Sequence, residues 1–586
     1  MKINPFKALR RIAPLYAAAV LFIAGMIVNG AGAADAETIR FTGTSADSDS
    51  SAVSAEGSTV TISAAGSYRL TGELADGRLV VDPEDGANVV LIFDGVSIHS
   101  STGSPLAILN GKETEIVLAD GSVNNLSDAR TTGSPDPETD EPNAALYSRA
   151  DLTISGTGTL NLTGAYNDGI NGKDTLTING GSINITAVDD GIRGKDALTV
   201  NGGKLTVTAG GDGLKSDNDS DAAKGTITIS GGELEIVAAG DGVSAYTGVI
   251  VSGGTATIQS GGGYQSSVSS DQSAKGVKAG SDIRIEAGTL TVSAAEDGIH
   301  SDGSIAIQGG EIVLSAGDDG IRAESALTID GGAVTVRTAY EGLEAADITL
   351  NDGTVTVTSQ DDSLNISDGS GGSQDGFGFG PGGFEVTDGK LTINGGTLLV
   401  TTVSGDSLDS NGGLEINGGL VLINGTTSNG NGSLDVNGSF TVNGGTLISV
   451  GSAGMAQVPD AASAQNLVMI TVSGGTGGEL VHIGDANGNG LMTFEPTTDW
   501  QALYFSSPEL EIGETYTLSV GGTVSGSEIF GYYPDGEYSG GTALETFTLT
   551  SNITTVGSGG FGGGPGGPGG GPGGPGGFGR PGGGRR

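Results

Sequence analysis

No cysteine occurs in this chain. No disulfide can staple the fold, no thiolate can act as nucleophile or metal ligand, and no lipid can be anchored through a cysteine. Histidine is nearly as scarce: His99, His300 and His482 lie far apart, which gives little support to nucleophilic catalysis by a histidine-assisted group. Cations are few, with 25 Lys and Arg against 69 Asp and Glu and a formal net charge of −44. Phosphate backbones need a basic face, so nucleic acid is excluded as a partner. Only one long apolar run exists, near the N-terminus, so no membrane span is expected in the mature chain.

Glycine, by contrast, is abundant at 110 residues, and it is periodic. Asp190-Gly191-Ile192-Arg193-Gly194-Lys195-Asp196 opens one copy of a repeated unit. Asp168-Gly169-Ile170 opens the copy before and Asp212-Gly213-Leu214 the copy after, at steps of 22 residues. Asp297-Gly298-Ile299, Asp319-Gly320-Ile321 and Glu341-Gly342-Leu343 keep the same step. Within a copy, apolar residues return in two alternating pairs, as in Leu176/Ile178 and Ile183/Ile185, or Leu198/Val200 and Leu205/Val207. Alternation of period two marks short strands with one face inward. Gly-Gly pairs between them (Gly180-Gly181, Gly202-Gly203, Gly231-Gly232, Gly309-Gly310, Gly331-Gly332) are corners that need a positive φ, and Asp-Gly is the other corner. Three short strands and tight turns in about 22 residues predict one coil of a parallel β-helix, since a propeller blade needs about 40 residues. The fold class is therefore all-β, a solenoid of about 22 residues per coil.

Taken in order, Lys2, Lys7, Arg10 and Arg11 precede the apolar run Ile12 to Val28 and then Ala31-Gly32-Ala33. This predicts a signal peptide over 1–33 and a secreted or cell-surface protein. Residues 34–57, rich in Ser, Ala and Asp, read as a flexible lead. Residues 58–143 read as N-terminal coils and a cap over the open end, with Ser127 to Asn143 as a surface loop. Regular coils follow over 144–451. Three insertions interrupt them, around Asp217–Asp221, Ser260–Asp271 and Gly369–Phe384, and insertions on a solenoid often carry binding. From 452 to 556 the period gives way to alternating strands with denser aromatics, a small C-terminal antiparallel β cap. Residues 557–586 are a Gly/Pro-rich tail that reads as disordered. The chain is expected to act as a monomer.

Equivalent residues of successive coils stack about 4.8 Å apart. The Asp-Gly corner thus builds a column: Asp168, Asp190, Asp212, Asp241, Lys275, Asp297, Asp319, Glu341, Asp362. Two like charges about 5 Å apart repel by roughly 3 kcal/mol at an effective dielectric near 20, so such a row needs protons, basic neighbours or a bound cation. Arg193, Lys215, Lys278, His300 and Arg322, two positions after the corner, supply part of the answer, and a surface salt-bridge ladder is one reading of the column. The sharper site is where the first insertion meets the column. Asp189, Asp190 and Asp212 come from adjacent coils and Asp217, Asn218, Asp219 and Asp221 from the loop beside them. Hard oxygen ligands suit Ca²⁺, with a solvated acidic loop as the alternative. Tyr166, Tyr246, Tyr264 and Tyr340, together with Tyr147, are candidates for stacking on sugar faces, and Lys195 and Lys215 are polar carbohydrate-binding candidates. Lys195, Lys215, Lys275 or Lys278 would be the base of a lyase, but a Lys in an acidic cluster has a raised pKa and makes a poor one.

The segments Tyr68-Arg69-Leu70-Thr71-Gly72, Leu91-Ile92-Phe93-Asp94-Gly95-Val96, Asp190 to Asp196, Gly211 to Asp219 and Lys275-Gly276-Val277-Lys278-Ala279 resemble a family of secreted bacterial carbohydrate-binding β-helix proteins. Gly454-Met455-Ala456-Gln457 adds to the resemblance, which spans roughly Thr59 to Thr550. It implies a right-handed parallel β-helix similar to that of family 9 polysaccharide lyases, with bound calcium and affinity for cellulose and acidic plant polysaccharides. By the same resemblance Asp190, Asp212, Asp217 and Asp219 are calcium-ligand candidates. The expectation is a non-catalytic polysaccharide-binding protein. The alternatives are a calcium-dependent pectate lyase and an adhesin or spacer that binds no sugar.

Overall fold

The computed structural model describes residues 36–84, 86–130, 141–367 and 386–557. The expected signal peptide, the insertion Gly369–Phe384 and residues 558–586 of the tail lie outside the described residues, as do 131–140 of the expected surface loop. The described residues form 53 strands and no helix, so no helix among them is long and apolar enough to cross a membrane. Forty-seven strands make one large, mostly parallel sheet, and four and two make smaller antiparallel ones. The chain is all-β.

From Ala144 to Ser301 each strand pairs with the one three places further along, so three parallel ladders run side by side. Asp168–Gly172 pairs with Ile192–Gly194, and that with Leu214–Ser216. Thr175–Ile178 pairs with Ala197–Val200, then Thr226–Ile229. Ser182–Ala187 pairs with Lys204–Ala209, then Glu233–Ala238. The alternating Leu, Ile and Val point inward along every ladder, and Leu176, Ile178, Leu198, Val200 and Leu205 are fully buried. They join one continuous core that runs from Ile39 to Tyr504. Each such side chain contributes on the order of 1.5–3 kcal/mol by leaving water. The insertions loop out without disturbing register: Leu214 still pairs with Val243, and Val243 with Val277.

The two glycine corners differ in cause. At the Gly-Gly corner the second residue holds a positive φ, +92° at Gly203 and +92° at Gly310, which only glycine adopts freely. At the Asp-Gly corner φ is ordinary, and glycine is required by crowding. A Cβ on Gly191 would lie 2.6 Å from the Gly213 carbonyl oxygen and 2.3 Å from Val207 Cγ1. The residue that opens this corner stacks as well: Asn443, Asn417 and Asn394, each before Gly-Gly, and Asn351, before Asp352-Gly353, pass an amide hydrogen bond down the column at 2.8–3.0 Å.

Two expectations need correction. The lead over 34–57 contains the strand Glu37–Gly43, paired in parallel with Gly66–Leu74, and the strand Val53–Glu56. Ile39 and Phe41 alternate into the core at 0% and 3% exposure, and that alternation outweighs the Ser/Ala/Asp composition. The corner column is also not a surface ladder: Asp168, Asp190, Asp241, Asp297 and Asp319 are 1–3% exposed.

At the C-terminal end Thr446–Gly451 pairs antiparallel with Trp500–Ser506, which pairs antiparallel with Leu467–Gly475. Val481–Asp485, Gly490–Phe494, Thr515–Val520 and Thr542–Thr548 form the four-stranded antiparallel sheet. A second core of Trp500, Phe505, Phe494 and Met492 packs against Leu422, Ile448 and Val450 from the last ladder rows.

Candidate functional site

Most corner aspartates take a backbone amide of the next row, which draws the carboxylate inward. Asp190 Oδ1 accepts the Asp212 N–H at 2.9 Å, Asp212 Oδ1 that of Asp241 at 2.9 Å, and Asp241 Oδ1 that of Lys275 at 2.8 Å. Asp362 Oδ1 accepts the Asp406 N–H at 2.7 Å, and Asp406 that of Gly432. A carboxylate at this corner is thus a structural acceptor as well as a charge.

Beside the corner runs a second column in unbroken register: Asn171, Arg193, Lys215, Ser244, Lys278, His300, Arg322, Glu344, Asn365, Asp409, Asp435. Its first half is largely basic and neutralises the corner. Lys215 Nζ sits 3.1 Å from Asp190 and 3.0 Å from Asp212. Lys275, itself in the corner, reaches Asp297 at 3.0 Å, and His300 reaches the same carboxylate at 2.8 Å. Against the pull of burial, the His300 hydrogen bond and the Lys275 charge hold Asp297 below the usual carboxylate range. Arg322 bridges Asp319 at 3.4 Å and Glu344 at 2.8 Å.

Past Arg322 the corner is acidic and the second column is acidic or amide. Burial pushes Glu341 and Asp362 up to about 7 and Asp406 up to about 6. Burial and the charges of Asp362 and Asp406 push Asp409 up to about 8.

Four groups of carboxylates place their oxygens within 4.8 Å of one another: Asp168–Asp189–Asp190, Asp297–Asp318–Asp319, Asp319–Glu341–Glu344 and Asp406–Asp409–Asp435. Each could hold a metal ion. The first has a further feature. Asn171, fully buried, donates Nδ2 to Asp168 Oδ2 at 2.8 Å and to Asn143 Oδ1 at 2.9 Å, while its own Oδ1 is buried with no hydrogen-bond partner. Burial, then the charges of Asp190 and Asp189, push Asp168 up to about 7. The donor set is all hard oxygen, as Ca²⁺ or a similar cation requires.

A groove of about 330 Å³ opens over the basic half of the second column, lined by Lys215, Asp217, Ser244, Tyr246, Lys278 and Asp302 among others. Tyr246 is 56% exposed. Gly280, the lining residue in the row after Tyr246, packs against its backbone.

Residues 56–320 match the family described as carbohydrate-binding domain-containing protein. A carbohydrate-binding domain-containing protein of Acetivibrio thermocellus is 38% identical over 118 residues, 20% of this chain and 41% of that protein. The match thus spans about two fifths of that relative's length. A solved polysaccharide lyase-like protein from C. thermocellum, studied as a gadolinium derivative, is 31% identical over 44% of this chain and 97% of its own, with a TM-score of 0.38. Over residues 56–320 the chain is thus similar to the carbohydrate-binding domain-containing family.

In the structure the expected metal set is divided. Asp189 and Asp190 meet each other with Asp168. Asp212 shares Lys215 with Asp190. Asp217 is paired with Arg193 at 2.5 Å. Asn218 turns its Nδ2 to Asp196 at 2.5 Å and its Oδ1 to the Ser220 and Asp221 amides. Asp219 and Asp221 are exposed, and Asp221 caps its own loop through the Ala223 N–H. The loop residues close a turn rather than converging on the corner.

Of the carbohydrate candidates, Tyr246 and Lys215 meet in the groove. Tyr264 and Tyr340 are exposed elsewhere, at 39% and 49%, and a hydrogen bond from the Tyr340 phenol to Asp361 holds its pKa up to about 12. Tyr166 lies under the Arg130 guanidinium at 3.9 Å. Tyr147 is fully buried, which corrects its reading as a stacking residue: it precedes Asn171 in the second column. Lys195 is half-buried and meets the loop through its backbone carbonyl, which accepts the Asn218 N–H at 3.0 Å. The acidic group Asp406–Asp409–Asp435 was missed. Its signal lay in Asp-Ser-Leu-Asp and Gly-Ser-Leu-Asp, which keep the repeat register while losing the Asp-Gly corner.

Proposed function

We propose that this chain is an exported, calcium-containing protein that binds acidic cell-wall polysaccharide. Its ladders wind as a right-handed parallel β-helix with rows 22 residues apart where no insertion intervenes. Export is supported by the leader pattern from Lys2 to Ala33, and handedness by the family resemblance. The observation that carries the binding reading is the groove in which exposed Tyr246 stands with Lys215 and Lys278: an aromatic face for a sugar ring with ammonium groups for its carboxylate. Asp168, Asp189 and Asp190 would hold calcium, with Asn171 beside them. A half-turn of the Asn171 amide would bring its unpartnered oxygen toward Asp168, an arrangement a cation between them would stabilise. A calcium ion there would supply positive charge next to the corner column.

A lyase needs a base, and here Lys215 and Lys275 are held protonated by the carboxylates around them, against burial. The binding reading is therefore preferred. Affinity electrophoresis in gels containing polygalacturonate tests it. Wild-type protein is expected to be retarded, and Tyr246→Ala to lose about tenfold in affinity with an unchanged melting temperature. Equal retardation of the two would remove the groove from the account. Ultraviolet-absorbing unsaturated products from polygalacturonate would replace binding with lysis.

A further inference from the structure

The C-terminal unit, outside residues 56–320, carries a second groove, of about 670 Å³, between the last ladder rows and the antiparallel sheet. Thr401 and Asn424 line one side, and Glu495, Glu528 and Phe530 the other. The two sides are tied together: Asn424 Oδ1 accepts the Thr497 N–H at 2.9 Å, and Thr498 Oγ1 donates to the Gly425 carbonyl at 3.0 Å.

Phe530 is out of place twice. Among the described residues it is the one non-glycine with a positive φ, +51°. It occupies the first central position of a two-residue turn, closed by Ile529 N–H to Tyr532 O at 2.8 Å and Tyr532 N–H to Ile529 O at 3.0 Å. Gly531, at the second, has φ +80°. Positive φ at both central positions is the pattern of a type I′ turn, which asparagine-glycine satisfies and phenylalanine strains. The turn is held in place by Glu528 Oε1, which accepts the Gly531 N–H at 2.8 Å, and by the Gly531 carbonyl, which accepts the Glu495 N–H at 2.9 Å. The strained backbone does not bury the ring, which is 42% exposed. Neither local preference nor core packing accounts for an aromatic here, and strain of this kind collects where a ligand is clamped.

We infer that this groove is a second, independent glycan subsite, with Phe530 as the stacking platform for an uncharged polysaccharide chain. Its chemistry differs from that of the Tyr246 groove. The charged lining groups are Glu495 and Glu528, with no lysine or arginine among the lining residues. Carboxylates and the groups of Thr401 and Thr497 accept or exchange hydrogen bonds with sugar hydroxyls, whereas they repel uronates and phosphates. The site does not rest on the Tyr246 reading.

The test is affinity electrophoresis of the full chain in gels containing hydroxyethyl cellulose, glucomannan or xyloglucan, and separately polygalacturonate, for wild type, Phe530→Asn and Tyr246→Ala. Asparagine suits the turn, so Phe530→Asn is expected to melt no lower than wild type while losing about tenfold in affinity for the neutral glycan. Tyr246→Ala is expected to keep that affinity, so the two sites fail separately. Retardation of wild type by none of the three neutral glycans, or equal retardation of Phe530→Asn, overturns the inference. A dimer in wild type that becomes monomer in Phe530→Asn on size-exclusion chromatography also overturns it, in favour of a second copy as the occupant.

Discussion

Asp409→Asn should make the protein more stable, and more so as pH rises. Asp409 follows Asn365 and precedes Asp435 in the second column, and its oxygens lie within 4.8 Å of those of Asp406 and Asp435. Among the described residues none of the ion pairs formed by lysine or arginine reaches it, and burial with the charges of Asp362 and Asp406 lifts its pKa to about 8. The ordinary value is 3.8. The native state therefore keeps this proton across a window in which the unfolded chain has released it. A group raised in this way contributes stability at low pH, and the contribution is lost as pH climbs through the window. Each pH unit is worth about 1.4 kcal/mol. Between pH 6 and pH 9 the wild type should lose on the order of 2–3 kcal/mol from this carboxyl, before its neighbours share the proton. Asparagine has the same shape and no charge, so the variant lacks this loss.

The assay is thermal unfolding followed by circular dichroism from pH 5 to pH 9, with a chelator present so that stray divalent ions cannot neutralise the group. The melting temperature of Asp409→Asn should draw away from that of wild type steadily from pH 5 to about pH 8 and then run parallel to it, with the variant higher. Curves parallel over the whole range would refute the reasoning, because they would mean that the carboxylate is solvated or paired and that the acidic rows carry no stored repulsion.

Calcium should raise the melting temperature of wild type, by about 2.7 kcal/mol of stability at a hundredfold excess over the dissociation constant. Asp168→Asn should abolish that rise and Asp219→Ala should leave it intact; the reverse pattern would move the site to the insertion loop. Gly191→Ala should destabilise by several kcal/mol, since its Cβ would meet backbone and Val207 at 2.3–2.6 Å, whereas Gly121→Asn, at φ +69° with open space around it, should change stability by less than about 1 kcal/mol in urea unfolding.

Alternation along the chain made the ladders legible because it records which face each side chain takes. Leu176, Ile178, Ile183 and Ile185 alternate in sequence and are at most 3% exposed in the structure. The same logic recovers Glu37–Gly43 once Ile39 and Phe41 are weighed above composition. Depth at a corner is not recorded this way. Charge alone reads Asp190 as solvated, yet it is 3% exposed, because its oxygen is needed by the amide of the next row. Spacing likewise tells which residues share a column and not which columns face each other. Asp217 is near Asp190 in count, but Arg193 takes it, and Tyr147 is column-mate to Asn171 and hence buried.

The corner also couples the fold to ions. An Asp that caps the next row brings one buried negative charge with every row added, so the length of such a ladder is limited by what neutralises it. From Arg193 to Arg322 the neighbouring column does so in part with side chains: Asp297 stays below its ordinary pKa, while burial still lifts Asp190 to about 6 and Asp319 well above its ordinary value. From Glu344 onward that column turns acidic or amide, and Glu341, Asp362, Asp406 and Asp409 all rise. What remains to balance those rows is a proton or a metal cation. A chain that uses protons is most stable in mild acid, and one that uses cations depends on their supply. Titrating the melting temperature against both variables separates the two.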